Sequence, residues 1–302
     1  AARFRRYEEL LDLELDAVLV ANPHAYHSEV VLAALSAGKH VLVEKPMCLT
    51  LREAAAIIEA QRRTGLVVQV VTMRRYADAF VRATELVREL PNIRLARVHD
   101  VIGDNSLFIQ NTSRVVRGRD VPDAVIEAGQ RLDHGLVQEA VQSTRPELVS
   151  SYLMLLGLST HDLSAMRELL GMPAGVLYAA QRHSGSYITA AFDYGPFVCH
   201  FETGINRVAV FDAHLAVYGD ARTVRVQYNT PYVRNLPIQL HLTETDAEHA
   251  AVTRALHPEW NDPFVAEWRA FYEAVQTGTP SKTDAADFRQ DLELFTQMVA
   301  RM

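Results

Sequence analysis

Between residues 16 and 71 three short apolar runs alternate with two helical segments, a rhythm that leaves few folds open. Asp16-Ala-Val-Leu-Val-Ala21 is a continuous apolar run closing at Asn22-Pro23, the pattern of a strand covered on both faces. From Tyr26 to Ser36 the apolar residues Val30, Val31, Ala34 and Leu35 recur at helical spacing, and Gly38 stands where a helix stops. His40-Val-Leu-Val43 is a second buried strand, followed by Glu44-Lys45-Pro46. Thr50 and Glu53 form the capping box of a helix that runs through Ala54, Ile57 and Ile58 to Gly65, and Val67 to Val71 is a third strand. Two consecutive βαβ units sharing a strand predict half of a doubly wound α/β parallel sheet.

The rhythm changes near residue 92. A helix over roughly 76–90 ends at Pro91-Asn92, and Ile93 to Val101 then alternates with period two. Residues 187–192 and 197–201 flank Asp193-Tyr-Gly-Pro196, and residues 214–218 and 223–226 flank Gly219-Asp220, so both pairs read as hairpins. The expected second domain is α+β with an open, largely antiparallel sheet. Its span is 92–261, with a polar excursion over 103–146 that holds one helix (Val121 to Ala140). Residues 1–91 form the expected parallel-sheet domain, in part only, onto which the closing helices within 262–302 pack. A two-domain division suits 302 residues, because single cores stop growing near ~250–300.

Composition excludes several functions. Thirty Lys and Arg against 37 Asp and Glu give a net charge of −7, with no run of basic residues longer than a pair, which argues against a nucleic-acid partner and an anionic membrane surface. No window approaches the ~20 apolar residues of a membrane helix. Cys48 and Cys199 are too few for a disulfide framework or a cysteine metal site, so a reducing cytoplasm is the expected location. His24, His27 and His134 lack metal-ligand spacing, and no metal is expected. The nucleophile elbow of hydrolases and the phosphate loop of NTPases are both missing.

Chemistry concentrates where the first two strands end. Lys45 follows a buried parallel strand at its C-terminal end, where open α/β sheets place ligands. A lysine there can hydrogen-bond a substrate oxygen and, when desolvated, take part in proton transfer; it can equally be a surface lysine paired to Glu44. Pro46 fixes the turn. Asn22, Pro23 and His27 end the neighbouring strand and open its helix, so they share the sheet edge with Lys45. In the segment Leu155 to Gly171, His161 falls on the apolar stripe with Leu158 and Ala165 rather than with Arg167 or Glu168. An inward histidine serves as a bonded core residue or, near a lysine in a cleft, as the base that alcohol oxidation needs.

The segments Asp16-Ala-Val-Leu-Val-Ala-Asn-Pro-His-Ala-Tyr-His27 and Ala37-Gly-Lys-His-Val-Leu-Val-Glu-Lys-Pro46 resemble the glucose-fructose oxidoreductase/inositol dehydrogenase/rhizopine-catabolism (Gfo/Idh/MocA) oxidoreductases. The likeness continues more weakly through Arg74-Arg75-Tyr76, the His161 segment, Tyr218-Gly219, Pro231-Tyr232 and Phe264 to Gly278. It implies a Rossmann domain that binds NAD or NADP, and a C-terminal sheet that joins dimers or tetramers. Sugars, cyclitols and their derivatives are the implied substrates. By resemblance, Lys45 contacts the reacting hydroxyl and His161 relays its proton, while Asn22, Pro23, His27, Glu44 and Pro46, together with Lys45, lie near the nicotinamide and its ribose. The same fold also serves as a catalytically inactive cofactor- or ligand-binding regulator, the alternative reading.

Two departures stand out. The family opens with a strand and a glycine-rich pyrophosphate turn, and the residues before Asp16 are fewer than the ~35 that such a unit needs, so an N-terminal stretch is expected outside the given sequence. Many relatives carry an aspartate four residues before the histidine, where this chain has Gly157. Asp162 points about 100° away around a helix and cannot simply substitute, so either another acid, such as Asp120 or Asp133 of the excursion, orients the His161 ring or the chain manages without one.

Overall fold

A computed structural model describes residues 2–116, 118, 120–257 and 261–302. The chain divides into two compact units, one of Ala1–Thr72, Asp120–Thr144 and Glu267–Thr296, the other of Met73–Arg119, Arg145–Ala266 and Gln297–Met302.

The first unit is built on a parallel sheet in the order β1 (Ala17–Val20), β2 (His40–Val43), β3 (Val68–Val70). Its crossovers are α2 (His27–Ser36) and α3 (Leu51–Thr64). The predicted capping box is present: Glu53 N–H donates to Thr50 Oγ1 (3.1 Å) and Thr50 N–H to Glu53 Oε2 (3.0 Å), and Gly65 ends the helix at φ 69°. Capping of this kind stabilises a helix by about 1 kcal/mol. Val41, Leu42 and Val43 are fully buried, whereas Leu19 of β1 is half exposed, so the first apolar run is covered on one face only. From far along the sequence, Phe271 and Ala274 of α9 (Pro263–Thr277) join Leu42, Val67 and Val71 in one core cluster. Truncating such a buried phenylalanine costs about 3–5 kcal/mol. The excursion supplies α6 (Asp123–Val141), which packs on a single 3₁₀ turn at His24–Tyr26.

The second unit carries an eight-stranded sheet in the order β11-β10-β9-β8-β4-β7-β6-β5. These are β4 (Ile93–Gly103), β5 (Gly175–Arg182), β6 (Tyr187–Asp193), β7 (Val198–Asn206), β8 (Phe211–Gly219), β9 (Arg222–Tyr228), β10 (Gln239–Thr245) and β11 (Ala251–Leu256). Both predicted hairpins form, as β6–β7 and β8–β9, and only the β4–β7 pair is parallel. Along β4, Ala96, Val98, Asp100 and Ile102 are buried while Leu95 and Arg97 face outward. The same unit holds α4 (Asp78–Arg88), α7 (Pro146–Met154) and α8 (Thr160–Leu170), the last two joined by a π-helical turn at Leu155–Ser159.

The units are bounded differently from the sequence expectation. Residues 73–91 fall in the second unit, because Arg74 and Arg75 of the 3₁₀ turn Met73–Tyr76 are tied to Asp100, Asp162 and Glu168 there. Residues 120–144 of the excursion fall in the first. Among the described residues no helix is long and apolar enough to cross a membrane.

Candidate active site

Within the first unit β1 and β2 lie in register, Ala17 beside His40 and Val20 beside Val43, so their C-terminal ends finish level. That register brings Asn22-Pro23 and Glu44-Lys45-Pro46 to one sheet edge. The Lys45–Pro46 peptide is cis. His27 fastens the two turns together: its Nδ1 lies 2.8 Å from the Pro46 carbonyl oxygen and its Nε2 2.7 Å from that of Asn22. Carbonyl oxygens only accept, so wherever either bond forms the ring nitrogen donates it. The ring is buried and links residues 22 and 46. Lys45 is half-buried beside this clasp, and its backbone N–H donates to Glu44 Oε2 at 3.3 Å.

Two further groups in this unit were invisible in sequence terms. Glu267 of α9 is buried, accepts the Thr72 N–H through Oε1 at 2.6 Å, and accepts from Gln69 Nε2 through its backbone carbonyl at 3.1 Å. Burial, reinforced by the charge of Glu44, pushes its carboxyl up to about 8, against the pull of the Thr72 N–H and Lys282. Nothing in the sequence around residue 267 signals a buried acid, because only the return of α9 to this sheet buries it. The second group is His24, whose Nε2 lies 3.5 Å from Asp133 Oδ1 of α6. Asp133 of the excursion thus faces His24.

In the second unit, His161 is the second residue of α8 and half-buried, while its neighbour Asp162 is fully buried. Asp162 and Asp100 both accept from Arg74 Nη1, with the Asp100 contact at 3.2 Å, and the guanidinium lies over the rings of Tyr228 and Phe211 at 4.9 and 5.5 Å. Burial and the adjacent Asp100 push the Asp162 carboxyl well up despite Arg74. Asp162 is then committed to the core and unavailable to His161. Arg167 and Glu168, expected on a solvated face, are buried and half-buried, with Glu168 bonded to Arg75 Nε at 2.5 Å.

A dinucleotide on a parallel sheet lies across the C-terminal strand ends. The polar groups gathered there, Asn22, Glu44 and Lys45 beside Pro23, Pro46 and the His27 clasp, suit a nicotinamide and its ribose hydroxyls. The glycines of the first hundred residues, Gly38 and Gly65, close α2 and α3 at the opposite edge. Among the described residues no group of His, Cys, Asp and Glu could hold a metal ion, and both cysteines are buried.

Residues 1–72 match the family described as "Oxidoreductase family, NAD-binding Rossmann fold" (GFO_IDH_MocA). A stretch of 77 residues is 39% identical to scyllo-inositol 2-dehydrogenase (NAD(+)) of Bacillus subtilis, covering 26% of this chain and 22% of that protein. Inositol 2-dehydrogenase of Paracoccus denitrificans is 38% identical over 101 residues, 32% of this chain and 30% of that one. A 1,5-anhydro-D-fructose reductase of Ensifer adhaerens is 48% identical over 61 residues, 20% and 18% of the two chains. The matched stretches thus span less than a third of these relatives. The fold is similar to that of a 3-ketoreductase from Actinomadura kijaniata solved with NADP and TDP-benzene, with TM-score 0.71 at 18% identity over 99% of this chain and 82% of that one. Residues 1–72 are thus similar in sequence to the Gfo/Idh/MocA oxidoreductases, and the likeness over the rest of the chain is one of fold.

Proposed function

We propose that the protein is an NAD(P)-dependent dehydrogenase or reductase acting on a hydroxyl-bearing carbon of a sugar, cyclitol or related derivative. The observation that carries this reading is the half-buried Lys45 on a cis-proline turn at the end of the central parallel strand, fastened by His27 to the Asn22 turn. Polyol and sugar substrates are named for the relatives that match the same segment.

A bound nicotinamide dinucleotide supplies the hydride acceptor or donor. This chain supplies the rest. Lys45 Nζ, as a three-proton donor, holds the substrate oxygen and stabilises the negative charge that develops on it when its proton leaves. His161 takes up or returns that proton. Asn22, Pro23, His27, Glu44 and Pro46 shape the edge against which the nicotinamide and ribose rest, with His27 keeping Lys45 at a fixed height above the sheet. Fixing such a group within a fraction of an ångström accounts for much of an enzyme's advantage. Two or four copies associate through the outward face of the eight-stranded sheet, where Leu95 and the stacked His99 and His214 rings lie.

The test is titration with NAD and NADP followed by intrinsic fluorescence, then a panel of cyclitols and sugars followed by nicotinamide absorbance. Saturable binding with turnover supports the enzyme reading. Binding without turnover on any member favours a ligand-binding regulator, and neither would sink both.

A further inference from the structure

Within the first unit a cleft of about 320 Å³ opens between residues 23–26 and the excursion, which lines it with Val121 and with Val125, Ile126 and Asp133 of α6. That volume lies at the lower end of small-molecule sites, ~300–1,000 Å³, and suits a single ring. Val121, Val125 and Ile126 are each about half exposed, so three large apolar side chains gather on one wall. The Tyr26 ring stands against the same helix at Gly129, where a Cβ would lie 3.4 Å from it.

The protein itself leaves the Asp133 carboxylate largely unserved. Its side chain is 22% exposed and lines the cleft, while Oδ1 is buried and, among the described residues, receives no hydrogen bond. His24 Nε2, at 3.5 Å, is too distant to donate one. A buried acceptor without a donor is costly, and native structures rarely hold one without a reason. Burial lowers the His24 imidazole from its ordinary range, Asp133 of α6 raises it in part, and His27 of α2 and Lys45 lower it again, so the ring is uncharged at neutral pH. Neither His27 nor Lys45 lines the cleft. The slot thus carries one negative charge at the end of otherwise apolar walls.

We propose that this cleft is a binding site for a small organic ammonium ion, a primary amine carried on an apolar ring, with the ring against Val125, Ile126 and Tyr26 and the ammonium on Asp133. An ammonium group brings three donors to a carboxylate that has none from the neutral imidazole. A charge-assisted N–H···O bond is roughly twice as strong as a neutral one, so the site selects an amine over an alcohol of the same shape. The face of Tyr26 adds a further attraction for a cation. A carboxylic acid of that shape meets Asp133 as a like charge and is excluded.

Binding is followed in methyl NMR spectra, with the Val125 and Ile126 signals assigned by their loss in Val125→Ala and Ile126→Val, and with benzylamine, benzyl alcohol and benzoate as probes. Benzylamine is expected to shift both signals saturably, benzyl alcohol to bind about tenfold more weakly, and benzoate to leave them in place. Asp133→Asn should bring benzylamine down to the affinity of the alcohol. As pH falls below the ordinary imidazole value of ~6.5, His24 gains a proton and its charge competes for Asp133, so benzylamine affinity should fall in the native chain and hold in His24→Gln. No saturable shift, equal binding of amine and alcohol, or undiminished benzylamine affinity in Asp133→Asn each overturns the site. Should Asp133→Asn not fold, the amine–alcohol comparison and the pH dependence of the native chain decide it. Neither cofactor nor turnover enters the readout, so the dehydrogenase reading stands or falls separately.

Discussion

Lys45 and Glu267 show two ways in which a single side chain is set by its surroundings. Lys45 was legible in sequence because its strand, its turn and its proline are contiguous. Lys45→Ala is expected to lower kcat/KM by about 10²–10⁴-fold while leaving the dissociation constant for NAD or NADP within about threefold, as checked by steady-state kinetics and fluorescence titration. A variant with native kcat/KM would remove Lys45 from the chemistry. Glu267 became visible only in three dimensions. Its folded carboxyl lies at about 8 against an unfolded value near ~4.3, so the folded chain holds a proton that the unfolded chain releases. Stability from this group is present in full below about pH 4.3 and is lost as pH rises to about 8. Glu267→Gln should therefore flatten the fall in melting temperature between pH 5 and 8; an identical slope in the variant and the native chain would contradict the assignment.

Helices and strands were read well wherever periodicity and caps agreed, as for α3 with its Thr50–Glu53 box and for the two hairpins. What periodicity missed was a change of pitch. The segment before His161 reads as uninterrupted helix, yet Leu155–Ser159 winds as a π turn, in which Thr160 Oγ1 donates to the carbonyls of Leu155 (3.3 Å) and Leu156 (2.9 Å). An extra residue in a turn rotates everything after it by about 100°. Residue 157 is exposed while His161 is half-buried, so restoring an acid there by Gly157→Asp places the carboxylate on an exposed position with open space around it. The same phase aims Asp162 at Arg74. Arg74→Ala strands two buried carboxyls and is expected to cost about 3–5 kcal/mol in urea denaturation, whereas Asp162→Asn, which keeps an oxygen acceptor toward Arg74, should cost about 1 kcal/mol. Equal losses in the two variants would contradict this ranking.

For the molecule as a whole, the eight-stranded sheet buries one face and leaves the other to solvent in this single chain. On that face His99 stacks on His214 at 5.0 Å, with Glu202 and Asp212 beside them. Burial and Arg225 hold the His214 imidazole below its ordinary value, only partly offset by Asp212. A lowered imidazole contributes stability above its unfolded value of ~6.5, and the contribution is lost as pH falls through the folded value. Light scattering is expected to give a multiple of the 33.8 kDa chain mass at pH 8 and a smaller mass below about pH 6, with His214→Gln removing the dependence. A mass of one chain at every pH would leave this face without a partner copy. The chain also passes between its two units five times, after Thr72, Arg119, Thr144, Ala266 and Thr296. Each unit is therefore assembled from stretches far apart in the chain: the Phe271 that joins the parallel-sheet core and the Asp133 that faces His24 come long after β1 to β3, so neither interior can close until distant stretches of chain have been made.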